Sequence, residues 1–75
     1  MKKYGTTFYE DRNGNRVAIS YISNGNYLTS KCEHIRKIGY KWHILDPHDK
    51  TLCKFPTLKK ALLHYLNAYN LHEIP

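Results

Sequence analysis

The stretch from Gly39 to Tyr69 constrains the fold of this chain more than any other. It reads Gly39-Tyr40-Lys41-Trp42-His43-Ile44-Leu45, then Asp46-Pro47-His48-Asp49-Lys50, then Thr51-Leu52-Cys53-Lys54-Phe55. Tyr40, Trp42 and Ile44 alternate with Lys41, His43 and Leu45, the period of a half-buried strand. The five residues that follow are turn formers, and Thr51–Phe55 is a short returning strand. Thr57 is a good N-cap. Leu58, Ala61, Leu62, Tyr65, Leu66 and Tyr69 recur at spacings of three and four, so one stripe of a helix over about 58–69 is apolar. Asn70 is an acceptable stop, and the tail Leu71–Pro75 has Leu71 and Ile74 with which to fold back. A hairpin feeding an amphipathic helix has to bury one sheet face against that stripe.

The first third reads as a second hairpin. A strand over 4–11 alternates Tyr4, Thr6 and Phe8 against Gly5, Thr7 and Tyr9. Arg12-Asn13-Gly14-Asn15 is its turn, because Asn-Gly accepts positive φ at low cost. A strand over 16–23 returns with Val17, Ile19 and Tyr21 on one face, and Asn24-Gly25-Asn26 repeats the turn signal. Residues 27–38 admit two readings. Ser30-Lys31-Cys32-Glu33 matches a capping box, with Gly39 as a stop, giving a short helix over Lys31–Ile38. The alternative is a third strand from Tyr27 through His34, which is favoured because so short a helix is poorly stable alone. The expected architecture is α+β: one domain over residues 1–75, a small antiparallel sheet of three to five strands with two hairpins, packed on one C-terminal amphipathic helix.

Seventy-five residues leave little room for a deep enzyme pocket. No recognisable pattern supplies a catalytic constellation. Cys53 with His43 or His48 lacks an orienting third group. Cys32, His34, His43, His48 and Cys53 lack metal-site spacing, so no metal and no cofactor are expected. Two cysteines make no disulfide framework. No secretory core and no membrane span are visible, so the expected location is cytoplasmic.

Charge is the remaining signal. The chain carries twelve Lys and Arg against six Asp and Glu, a formal +6. Residues 31–60 hold Lys31, Arg36, Lys37, Lys41, Lys50, Lys54, Lys59 and Lys60 against Glu33, Asp46 and Asp49. Such a cation-rich middle points to a polyanionic partner. Two surfaces are candidates. Lys59 and Lys60, in the first helical turn, join backbone N–H groups in a possible anion site that Lys54 and Lys50 extend; the plainer reading is a solvated surface. The second candidate is the outward sheet face, with Arg16, Ser20, Lys41 and His43 exposed and Trp42, Tyr21 and Phe8 turned inward as core.

Gly39-Tyr40-Lys41-Trp42-His43-Ile44, Asp46-Pro47-His48-Asp49-Lys50 and Phe55-Pro56-Thr57-Leu58-Lys59-Lys60-Ala61 together resemble a phage pattern. It is similar to the arm-type, AP2-like DNA-binding domain of tyrosine recombinases. The resemblance implies a three-stranded sheet on a helix, with the sheet entering the major groove and Lys41 and His43 facing it. The chain departs from that pattern in its hairpin turn, which lacks the usual glycine before Lys50, and in its additional N-terminal hairpin.

The expectation is a small non-catalytic nucleic-acid-binding module of phage or mobile-element type, with DNA favoured. Its candidate contacts are Arg16, Lys31, Arg36, Lys37, Lys41, His43, Lys54, Lys59 and Lys60. The alternative is an inhibitor or adaptor that docks on an acidic host protein surface, for example one blocking a nuclease or a CRISPR effector. A homodimer through an exposed edge at Tyr4–Asp11 is a further expectation.

Overall fold

The computed structural model describes residues 5–74. It corrects the expected sheet of three to five strands. The described residues are mostly sheet, seven antiparallel strands curled into a half-barrel, with one short helix. The strands are β1 (Thr6–Glu10), β2 (Arg16–Ser23), β3 (Asn26–Thr29), β4 (His34–Ile38), β5 (Lys41–Leu45), β6 (Thr51–Phe55) and β7 (His72–Glu73). The helix α1 spans Leu58–Ala68. Sheet order is β6-β5-β4-β3-β2-β1-β7, a plain meander with the tail added beside β1.

Two segments account for the difference. Residues 27–38 form neither a helix nor one strand, but two strands around a turn at Thr29–Glu33. The Thr29 Oγ1 accepts the N–H groups of Lys31 and Glu33, so the residues that look like a capping box serve a turn instead. The tail supplies the seventh strand. Tyr9 pairs with Glu73 and Glu10 with His72, and the Ile74 N–H donates to the Phe8 carbonyl. The Phe8–Glu10 part of the β1 edge is therefore covered. The sheet edge expected at Tyr4–Asp11 is thus only partly free, and the sheet ends on β6 at one side and on the two-residue β7 at the other; Tyr4 itself lies outside the described residues.

Helix α1 lies against β4, β5 and β6. Thr57 caps it, its hydroxyl accepting the Lys60 N–H. At the other end Asn70 takes φ +54 and the Leu71 N–H reaches back to the Leu66 carbonyl, a Schellman-type close. Ala61 and Tyr65 are its buried residues. They complete a core of Tyr9, Val17, Ile19, Tyr27, Ile35, Ile44 and Leu71. Tyr21, Trp42 and Phe55 pack on the border of that core. Phe8 is not core as expected: it is 52% exposed, and its neighbours Thr7 and Tyr9 are buried instead. Tyr40 does not enter β5 at all; it sits in the β4–β5 turn.

Candidate functional site

The meander has two kinds of turn, and they sort to opposite ends. At one end, here the upper, two-residue turns Asn24-Gly25 and Gly39-Tyr40 join β2 to β3 and β4 to β5. At the lower end five-residue turns join β1 to β2, β3 to β4 and β5 to β6. Helix α1 starts after Phe55, which faces Trp42 near the upper end, and descends until Tyr65 and Tyr69 reach Glu33 at the lower end.

Charge follows the same division. Glu10, Asp11, Glu33, Asp46, Asp49 and Glu73 all lie at the lower end, in or beside the long turns and β7. They are every acid in the chain. Arg36, Lys37, Lys41, Lys54, Lys59 and Lys60 lie in the upper half, with no acid among them. A five-residue strand is about 17 Å long, roughly twice the screening length of about 8 Å at physiological salt. The lower carboxylates therefore do little to neutralise Lys41 at the top of β5, whereas Arg36 and His43, the middle residues of β4 and β5, stand about one screening length above the lower end.

At mid-height the sheet register sets a row of basic side chains. Asn26 faces Arg36, Arg36 faces His43, and His43 faces Lys54 across β3-β4-β5-β6. Ile35 and Ile44 alternate with this row and are buried under the helix side, so the row lies on the outer face, away from α1. Lys41 shares that face one step higher, opposite Ile38. Asn26 Oδ1 accepts from Arg36 Nε at 3.5 Å and from His34 Nδ1 at 3.1 Å, which steadies the guanidinium. His43 Nδ1 is hydrogen-bonded to Thr51 Oγ1 at 3.0 Å. Among the described residues Arg36, Lys41 and Lys54 form no ion pair. Arg36 and Lys54 stand two strand spacings apart, about 10 Å, on either side of His43, and an anion placed over the row would meet both charges.

The expected contacts do not all meet. Arg36, Lys41, His43 and Lys54 share the outer face. Lys37 faces Trp42 across the ladder and so belongs to the inner face, at its upper rim. Lys59 and Lys60 are at the upper end but on the helix side, whereas Lys54 points to the opposite face of the sheet. The anion site expected to join these three is not assembled, and Thr57 already takes the Lys60 N–H. Arg16 stands low on the outer face and pairs with Glu10 at 3.6 Å. Lys31, in a lower turn, holds its ammonium 4.8 Å from the centre of the Tyr69 ring. Lys50 is in a lower turn, remote from Lys54's end of the strand.

A second feature lies between α1 and the β5-β6 edge. A cavity of about 90 Å³ is lined by Glu33, Ile44, Leu52, Cys53, His64, Tyr65, Ala68 and Tyr69. Glu33, only 8% exposed, accepts from the Tyr65 hydroxyl at 3.0 Å and from the Tyr69 hydroxyl at 3.0 and 2.9 Å. Burial, with Glu33 close by, pushes both phenols above their ordinary range. Cys53 Sγ is 3.6 Å from His64 Nε2. The histidine beside Cys53 is thus His64, not His43 or His48, and its ring rests on Phe55 at 5.0 Å. Among the described residues no three potential ligands converge on a metal position. Both cysteines are free, Cys32 exposed and Cys53 half-buried. Sequence reasoning missed Glu33 as a buried acceptor; a lone acid beside an apparent cap carries no signal of it.

Among the described residues no helix is long and apolar enough to cross a membrane. No protein-family model matches this chain, and neither a curated protein nor a solved structure matches it.

Proposed function

We propose that this chain is a small non-catalytic module that binds nucleic acid, DNA in the first instance, through the acid-free upper end of its sheet. One observation carries the reading: six cations gather where no carboxylate stands, and Arg36, His43 and Lys54 form one row of it. Phosphate contacts are the main source of affinity for such proteins. Two strand spacings separate Arg36 from Lys54, about 10 Å, so the row spans more than one phosphate. The likeness to arm-type domains supports the same face, since Lys41 and His43 stand on the side of the sheet away from the helix. A phage or mobile-element setting and a cytoplasmic site of action fit this role.

The test is binding of labelled random duplex at about 50 and 200 mM salt. Four to six phosphate contacts make affinity fall by about a hundredfold or more over that range. No measurable binding of duplex or of single-stranded oligonucleotide at the lower salt would overturn the reading. It would leave an acidic protein surface as the partner, with the chain acting as an inhibitor or adaptor.

A further inference from the structure

The β4–β5 turn presents a feature that phosphate binding does not use. Tyr40 is 95% exposed, the most exposed large apolar side chain among the described residues. Ile38, at the same tip, is 46% exposed. A single exposed tyrosine needs no explanation. This one differs in its setting. It is held on a two-residue turn closed by the Ile38–Lys41 pair. Gly39, at φ +63, fills the first central position, where a type II′ turn needs glycine. So short a turn fixes the backbone under the ring, which lowers the ordering cost of binding. Lys37 and Lys41 flank it in sequence, and no acid lies at this end. A flat ring, an apolar neighbour and two ammonium groups on one rigid tip make a stacking platform with its own phosphate anchors.

We infer that Tyr40 is a stacking finger that lies against an unpaired base, so that the ligand is nucleic acid with single-stranded character. The inference rests on the reading that the upper end binds nucleic acid. Stacking needs a base face that the interior of a closed duplex does not offer, whereas phosphates are offered by both forms.

The experiment compares short oligothymidylate with blunt random duplex, for the native chain, Tyr40→Ala and Tyr40→Trp. Tyr40 touches no core residue by its exposure, so the variants fold; near-ultraviolet circular dichroism of the Trp42 region checks it for Tyr40→Ala. Tyr40→Ala is expected to weaken single-strand binding about tenfold and duplex binding by less than about twofold. Tyr40→Trp is expected to keep or improve the single-strand value. Equal losses on both ligands, or no loss on either, overturn the stacking finger while salt-dependent binding by the native chain leaves the proposed function standing. Failure of the native chain to bind either ligand overturns both.

Discussion

Tyr9 carries a hydroxyl that the fold does not serve. The residue is 1% exposed, and its oxygen has no hydrogen-bond partner among the described residues. Burial, and then the nearby Glu73 carboxylate, push its phenol up to about 12 from an ordinary 10. The native state therefore holds this proton more tightly than the unfolded chain does. Its contribution is complete below pH 10 and is lost as pH rises from 10 towards 12, about 2–3 kcal/mol across the two units. Tyr65 and Tyr69 shift in the same direction, each through burial first, and each donates a proton to Glu33 that a phenolate does not have. Urea unfolding followed by Trp42 fluorescence should give a stability that is flat up to pH 10 and falls steeply above it. Tyr9→Phe should fall less steeply, because Tyr65 and Tyr69 then remain as the phenols that burial pushes up. It should also gain stability at neutral pH, since an unserved buried hydroxyl costs about 1–3 kcal/mol. An alkaline slope identical to that of the native chain would show that Tyr9 ionises without unfolding.

The three lower turns are one device made from different residues. In Asp11–Asn15, Thr29–Glu33 and Asp46–Lys50 the first side-chain oxygen accepts the N–H groups two and four residues on. The fourth residue takes φ near +60 to +80: Gly14 at +82, Cys32 at +64 and Asp49 at +63. Only the first of the three puts glycine there. A left-handed conformation costs an ordinary residue about 1–2 kcal/mol, and Asp sits at the low end of that range, against roughly 0.5–1 kcal/mol of extra chain entropy for glycine. Asp49→Gly should therefore stabilise by roughly 0.5 kcal/mol, about 2–4 °C in thermal unfolding. A lower melting temperature would mean that the Asp49 carboxylate does more for the turn than its backbone costs. These turns also mark what the sequence made legible. Asp11 with Gly14, and Asp46 with Pro47, announce turns in their own residue types. Thr29 and Cys32 do not, and the same hydrogen bonds hide inside a pattern shared with helix caps, so one strand break went unseen. Period-two alternation in β1 likewise fits Phe8 inward as well as Tyr9 inward. The choice is made by Tyr9 facing Val17 in the ladder, which local pattern does not encode. The helix, by contrast, rests on its own stripe and cap, and it stands within a residue of 58–69.

Across the whole molecule the meander works as a charge sorter. Asp46 and Asp49 are close in sequence to Lys41 and Lys54, and along the chain they dilute the basic stretch. Folding sends them to the lower end and leaves the lysines above. The basic middle was visible in composition, but its purity was not, because that depends on which way each strand runs. The same sorting removes Arg16 and Lys31 from the candidate surface and unites Arg36 with His43 and Lys54 across strands. It yields a prediction that separates a built surface from mere net charge. On duplex, each phosphate contact adds about 0.9 to the slope of log affinity against log salt. Arg36→Gln and Lys54→Gln should each flatten that slope by about 0.9, and together by about twice as much. Arg12→Gln and Lys50→Gln remove the same formal charge from the lower end and should leave the slope unchanged. Titration by fluorescence anisotropy at four or more salt concentrations measures the single and double variants. If the lower pair flattens the slope as much as the upper pair, the ligand senses only total charge, and the ordered row across β4, β5 and β6 has no part in binding.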